Sequence, residues 1–432
     1  MKIVFFGVGA VSSVIARVIY DLSKKSLGDN IEFTYIVRDI KKAKKHFFRN
    51  EELIANGEFL EVSNFEEIFE NPQEYKKYLK KSTIFINSSV PSYNIPIMKL
   101  ALQYDTNYAD LASDIYNDEV ISTLKFEQQT LNQEFIDKGL FALINLGISP
   151  GITNFLIGER IFAFSNLPYE TKVTKIEINL LEEIHSKQLI FSWSPNVAIE
   201  EISYRPLYFK KNKLHSVEPF SKSKTFKFPY FRNSVEVYPV FQEELISLKQ
   251  SFEDVTDIKM YVGGNEIELM KNLYQLNLLS NKYCYGYQDS QISINSIIKD
   301  IIPKMKSPEI IEQYVKDETI KYAEFSAIAD ISLEISYPQN TKKVKSVESI
   351  GVSFNRYTSL LKTPYSGSTY ISYPTGIGAG ILIFYTLLNK KHDKIKGVLV
   401  SEKLPELFGS TINDIIKREL TSYKINLINS IK

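Results

Sequence analysis

The sequence predicts an α/β protein: an N-terminal doubly wound parallel sheet followed by a second α+β domain on a mostly antiparallel sheet. Three observations predict it. The chain opens with an apolar strand, a glycine turn and a helix within its first twenty residues, MKIVFFGVGAVSSVIARVIY. Strand-like and helix-like segments then alternate to about residue 150, the pattern of successive βαβ units. Beyond that point the texture changes to alternating, aromatic-rich strands with short turns, which suits an antiparallel sheet with one covered face.

Lys2 to Phe6 read as a buried strand, Gly7-Val8-Gly9-Ala10-Val11-Ser12 as a tight turn, and Ser13 to Leu22 as a helix. Gly7 lets the chain turn sharply and Gly9 lets the backbone come close to a pyrophosphate. The free N–H groups and dipole of the following helix favour that anion. This is the Rossmann dinucleotide fingerprint, with Ser12 standing where the third glycine falls. Gly7, Gly9, Ala10, Val11 and Ser12 are therefore the candidate pyrophosphate residues. A signal peptide is not expected, because Arg17 and Asp21 interrupt the apolar run and no small-residue cleavage site follows.

Ile31 to Val37 form the second strand, which closes on Arg38-Asp39. An acid at this point bonds a ribose 2′-hydroxyl, whereas an arginine accommodates a 2′-phosphate. Arg38 favours NADP, because a guanidinium pairs with the phosphate; NAD remains possible if Asp39 is the residue that meets the ribose. A charged, helical stretch with a short strand at Phe59 to Val62 leads to Ser82 to Asn87, whose carboxyl end should lie beside the glycine turn. Ser88, Ser89 and Val90 are then placed against the middle of the cofactor. Ile95 to Tyr104 read as a helix, TNYADLAS as a short strand bearing Asp110, and Ile115 to Lys138 as one long helix. Leu140 to Leu146 form a further strand ending in the turn GISPG, where Ser149, Pro150 and Gly151 would shape the nicotinamide end.

At 432 residues the chain should hold two or three domains, read as 1–150, 151–365 and 366–432, the last a helical segment docking back on the first. Its net charge is +1, from 52 basic and 51 acidic residues, so neither nucleic acid nor an anionic membrane is an expected partner. The apolar run Gly376 to Leu388 is too short to span a bilayer. One cysteine, Cys284, excludes an intrachain disulfide, reads as a packed side chain, and fits a reducing, cytoplasmic compartment. The four histidines show no ligand spacing, so no metal site is expected.

In the second domain, Lys172 to Leu181, Leu214 to Val217 and Ser234 to Tyr238 alternate as strands, with a hairpin turn at Lys211-Asn212. Helices are expected over 264–281 and 289–302, and late strands over Ala323 to Tyr337 and Val344 to Phe354. A helix from Tyr370 to Leu388 carries Gly376, Gly378 and Gly380. Each glycine costs about 1 kcal/mol of helix stability, so a close approach of another backbone or of a substrate should compensate.

Three blocks, GVGAVSSVIAR, INSSVPSYNIPIMKLALQYDTNYADLA and LINLGISPGITNFLIGE, resemble the saccharopine dehydrogenase family, including its saccharopine reductase, carboxynorspermidine dehydrogenase and lysine dehydrogenase branches. FSWSPNVAIEEISYRPLYFKKNKLHSVEPF and the C-terminal ISYPTGIGAGILIFYTLL with KGVLVSEKLPE extend the resemblance, while Lys249 to Lys345 are largely unmatched. The resemblance implies hydride transfer between a nicotinamide and a carbon bearing nitrogen, in an amino-acid conjugate such as saccharopine or a carboxy-polyamine, by a homodimer. Asp110, at a strand end, is the candidate for the proton, with helix capping as its competing role. Glu200 and Glu201 follow the SWSP motif at a helix-like register that lets one of them face the site, where an acid suits an amino or polyamine group. Arg205, Arg232 and Arg356 are candidates for substrate carboxylates, Trp193 for a cleft wall, and His185 for a second proton carrier. Two rival readings are a non-catalytic NADP-binding regulator of the same fold and an amine dehydrogenase acting on lysine.

Overall fold

The computed structural model describes the chain except residues 29–30, 193, 280–283, 288–289, 338–342, 391–392 and 432, and except the side chains of 27, 200, 284–287, 290 and 291. Strands β1 (Lys2–Phe6), β2 (Glu32–Val37), β3 (Gly57–Glu61), β4 (Ile84–Asn87), β5 (Asn107–Asp110) and β6 (Phe141–Leu143) pair in parallel in the order β3-β2-β1-β4-β5-β6. Ile3 to Phe6 and Ile84 to Ile86 are completely buried. Both faces of these strands are covered, which is why they read as continuous apolar runs. The expected doubly wound sheet is borne out, and its order reverses between β1 and β4, beside the glycine turn.

The first helix, Ala10–Leu27, begins and ends beyond its expected bounds. The single helix expected over Ile115 to Lys138 is instead three short pieces, Asp118–Thr123, the 3-10 turn Glu127–Leu131 and Asn132–Asp137. Asn117 caps the first piece by accepting the Glu119 N–H, and Leu124 ends it in the left-handed region at φ 53°. Helical periodicity alone does not report such breaks.

The chain then builds β7 (Glu170–Ser186), β8 (Leu207–Lys210), β9 (Lys213–Ser216), β10 (Lys224–Phe226), β11 (Val235–Val240), β12 (Asp257–Gly263), β13 (Cys284–Tyr287), β14 (Ser290–Ser293), β15 (Ile320–Ser336) and β16 (Val344–Phe354). The second sheet runs β10-β11-β12-β7-β15-β16 and is antiparallel apart from the β12–β7 pair. The β8–β9 hairpin turns at Lys211 and Asn212, both at positive φ, as the sequence suggested. The helix expected over 264–281 spans Asn265–Gln275. The one expected over 289–302 starts later, as Ile294–Ile301, because β13 and β14 form a separate hairpin before it. The Cys284 side chain lies outside the described residues.

Two strands near the C-terminus have no counterpart in the sequence reading. β17 (Gly397–Leu399) returns to pair with β6 as the seventh parallel strand, and β18 (Asn426–Ile431) adds to β16 at the edge of the second sheet. Between the sheets lies the Ser372–Asn389 helix, packed on Ala10–Leu27. A Cβ on Gly376 would lie 2.5 Å from the Val14 Cβ, and one on Gly378 would lie 2.4 Å from the Gly147 carbonyl oxygen. The helix therefore rests on the helix that follows the first glycine turn and on the second turn itself, and this close approach, to the Val14 and Val18 side chains and to the Gly147 backbone, is what compensates its glycines.

Candidate active site

At the end of β1, Gly7 takes φ 92°, and a Cβ there would meet Ser89 and the Ser88 carbonyl at 3.1 to 3.2 Å. The Ser88 N–H donates to the Phe6 carbonyl at 3.0 Å and its hydroxyl to the Gly7 carbonyl at 2.8 Å. The turn and the β4 loop are thereby held together. Around Gly9 the space is open, with nothing within 4 Å of an added Cβ. No side chain caps the Ala10–Leu27 helix. An open, uncapped helix start fits a pyrophosphate. Ser12, in the third-glycine position, is buried; its oxygen accepts the Gly9 N–H at 2.7 Å and its hydroxyl donates back to the Gly9 carbonyl at 3.2 Å. The departure from glycine braces the turn rather than blocking it.

Sequence reasoning missed the pair that fixes the β4 loop. The Asn87 side-chain oxygen accepts the Ser89 N–H at 3.0 Å and the Ser89 hydroxyl at 2.6 Å, while its amide donates to Asn94 at 2.7 Å and to the Val90 carbonyl at 3.1 Å. A buried asparagine ending an otherwise apolar strand was the available signal. Beyond β2, Arg38 is exposed and makes no ion pair among the described residues. Asp39 caps the Ile40–His46 helix by accepting the Lys42 N–H at 2.9 Å. One of its oxygens is thus committed to its own helix.

Asp110 closes β5 and is 1% exposed. It accepts the Asn145 N–H at 2.7 Å and the Gln128 amide at 3.1 Å. Burial raises its carboxyl to about 7 against the pull of these donors. Gln128 also donates to Ser113 at 2.8 Å, and the Ser113 hydroxyl to Asn145 at 2.7 Å. In the next turn Gly151 takes φ 128°, and a Cβ there would lie 2.1 Å from the Gly147 carbonyl oxygen, so the turn closes tightly on itself. There the Ser149 hydroxyl donates to Glu244 at 2.5 Å, and the Ser113 N–H to Glu243 at 3.3 Å. Glu243 and Glu244 begin the Glu243–Ser251 helix, so the second domain meets the carboxyl edge of the parallel sheet through two adjacent acids. Burial and the neighbouring Glu243 raise the Glu244 carboxyl to about 8.

The acids continue into the second domain. Gln242 donates to Glu201, whose carboxyl burial and the charges of Glu182 and Glu243 push far above the usual range. The arginines lie elsewhere. Arg205 is exposed and pairs with Glu218, and Arg232 and Arg356 are exposed. His185 is 56% exposed and pairs with Glu183 at 2.8 Å. Trp193 and the Glu200 side chain fall outside the described residues. Glu182, Glu243, Glu244 and Glu266 were not singled out in the sequence, because no motif marks them and their convergence is long-range.

An open glycine turn at a sheet switch point, joined to a mixed-sheet domain at the carboxyl edge, defines a two-domain nicotinamide-dinucleotide-binding protein. Residues 3–143 match the family model for the saccharopine dehydrogenase NADP binding domain, so the N-terminal part of this chain carries that family's nucleotide-binding domain, as its motifs implied. A curated relative, the carboxyaminopropylagmatine dehydrogenase of Synechocystis, is 23% identical over 192 residues; the match spans 42% of this chain and 44% of that protein. Among solved structures, the apo saccharopine dehydrogenase (L-Glu forming) of Saccharomyces cerevisiae superposes over 100% of this chain and 99% of its own, with a TM-score of 0.67 at 14% identity. The homospermidine synthase of Legionella pneumophila in complex with NAD covers 100% and 91%, with a TM-score of 0.62 at 11% identity. Both likenesses are of fold. Among the described residues no helix is long and apolar enough to cross a membrane, and no cluster of ligating side chains could hold a metal.

Proposed function

We propose that this chain is an NADP-preferring oxidoreductase that transfers a hydride at a CH–NH centre of an amino-acid conjugate such as saccharopine or a carboxy-polyamine. The observation that carries the reading is that the open Gly7–Ser12 turn lies on the same carboxyl edge of the parallel sheet where Ser113 and Ser149 bond the acids of the Glu243–Ser251 helix. When bound, the nicotinamide supplies or accepts the hydride. Gly7, Gly9, Ala10, Val11 and Ser12 hold the pyrophosphate, and Arg38 pairs with the 2′-phosphate. Ser88, Ser89 and Val90 line the middle of the cofactor, and Ser149, Pro150 and Gly151 bound its nicotinamide end. Asp110, with its carboxyl near 7, holds the exchangeable proton behind the Ser113–Asn145 pair. A homodimer through the second sheet and a cytoplasmic setting belong to the same proposal.

The test is NADPH oxidation with lysine plus 2-oxoglutarate and with a diamine plus aspartate semialdehyde, each repeated with NADH. Turnover on either pair, faster with NADPH, is the expected result. Tight NADPH binding with no turnover on any amine and carbonyl pair would replace this reading with that of a non-catalytic NADP-binding protein.

A further inference from the structure

A buried chain of polar side chains runs across the carboxyl ends of β4 and β5, and its middle member is Tyr108. Tyr108 and Asp110 stand two residues apart on β5, so both project from one face of the strand. The Tyr108 hydroxyl donates to the Asn94 side-chain oxygen at 2.9 Å and also lies within bonding reach of the Asp110 carboxyl. Asn94 begins the Asn94–Gln103 helix, and its amide donates to the Ala112 carbonyl at 2.9 Å, which fixes its oxygen towards Tyr108. The same oxygen accepts the Asn87 amide at 2.7 Å. Asn87 is the residue that holds Ser89 and Val90 in place. The chain therefore passes from Asp110 through Tyr108, Asn94 and Asn87 to the Ser88–Val90 loop. Two buried amides in an apolar interior are costly unless they are bonded, so packing alone does not account for them.

A phenol carries a single hydrogen. An ionised Asp110 only accepts, so it competes with Asn94 for that hydrogen, and its charge makes it the stronger acceptor. A protonated Asp110 donates to the phenol oxygen instead and leaves the hydrogen on Asn94. The proton on Asp110 thus decides whether the Asn94 oxygen is held by two donors or by one. Among the described residues the ionisable groups acting on Asp110 are Tyr108, on its own strand, and Glu243, at the head of the second domain's Glu243–Ser251 helix. The neighbouring strand β4, the segment after β6 and the Glu127–Leu131 turn present the neutral Asn87, Asn145 and Gln128. With the carboxyl at about 7, both forms of Asp110 exist near neutral pH.

We propose that Tyr108 is a positioning residue: through Asn94 and Asn87 it links the proton on Asp110 to the Ser88–Val90 loop, so that the dinucleotide binds more tightly when Asp110 is protonated. This rests on the oxidoreductase reading, which sets that loop against the cofactor. By linkage, dinucleotide binding in turn favours the protonated acid, and affinity falls as pH rises through the Asp110 titration.

The test is fluorescence titration with NADPH at about pH 6 and about pH 8, for the wild type, Tyr108→Phe and Asp110→Asn, with a thermal melt of each. The 2′-phosphate of NADPH titrates as well, and comparison between the proteins cancels it. From the lower pH to the higher, the wild type should lose about fivefold or more in affinity relative to both variants. If Tyr108→Phe does not fold, Asn94→Ala, which removes the oxygen that the hydroxyl bonds, takes its place with the same expected result. A folded Tyr108→Phe or Asn94→Ala with the pH dependence of the wild type would overturn the positioning role, even where Asp110→Asn removes that dependence, because Asp110 would then act on the cofactor without Tyr108. A wild-type affinity that rises with pH relative to the variants would overturn it too. Absence of NADPH binding at both pH values is a separate outcome: it would remove the dinucleotide reading itself, and the linkage with it.

Discussion

Replacing Asp110 by Asn separates a proton-holding role from a purely structural one. The carboxyl accepts two donors, the Asn145 N–H and the Gln128 amide, so an amide nitrogen in place of one oxygen sets donor against donor. A buried unsatisfied donor costs about 1–3 kcal/mol. Against this stands the cost of ionising a buried acid. Its carboxyl is raised from 3.8 to about 7, chiefly by burial, so the folded state holds a proton that the unfolded chain has already released. Stability therefore falls as pH rises through that window, by about 1.4 kcal/mol per pH unit and about 4 kcal/mol in all. Between about pH 5 and pH 8 the wild type should lose about 3 kcal/mol through this one group, and Asp110→Asn should lose none of it. The variant is then near parity at about pH 5 and more stable by about 1–3 kcal/mol at about pH 8. Urea unfolding of both proteins at the two pH values measures the difference, since every other titration cancels. Parallel pH dependences would refute the buried, proton-holding Asp110. In turnover, the variant should lose activity and the ionisation near pH 7 in its rate profile, with NADPH affinity retained.

Other consequences are as direct. Arg38→Ala should weaken NADPH binding by about 10- to 100-fold, the worth of a charge-assisted bond, and leave NADH unchanged; equal losses for both, by fluorescence titration, would remove Arg38 from the 2′-phosphate. Gly376→Ala places a Cβ 2.5 Å from Val14 and 2.9 Å from the Val11 carbonyl oxygen. Overpacking of about 1–3 kcal/mol should outweigh about 1 kcal/mol of helix propensity, so denaturant unfolding should show a net loss. Glu312, 3% exposed, takes a bidentate bond from Arg49 across the two domains, and that bond lowers its carboxyl from 4.5 to about 2. The stabilisation is complete above about pH 4.5 and lost as pH falls towards 2. Linkage sets it at about 3 kcal/mol, and screening at the partly exposed Arg49 lowers it to about 1–2. Glu312→Gln should therefore destabilise the protein at neutral pH and make no difference near pH 2.

The first sheet was legible because its signals are local. An apolar strand, a turn that only glycine tolerates and a following helix are adjacent in the chain, and a strand buried on both faces must be apolar throughout. The open glycine turn and the place of the Ser88–Val90 loop beside it followed from that, as did the close packing at the glycines of the Ser372–Asn389 helix. β17 was invisible because three residues carry no periodicity of their own; it is a strand only because β6 offers an edge. Asp39 and Arg38 are neighbours in sequence, yet one is committed to capping a helix and the other is exposed, which only the fold decides. The acids make the same point most fully. Glu201 stood beside the SWSP motif, whereas Glu182, Glu243, Glu244 and Glu266 carry no motif, and a glutamate in sequence is most often solvated. Burial is what raises these carboxyls above the usual range, and burial belongs to the packed elements rather than to the residue.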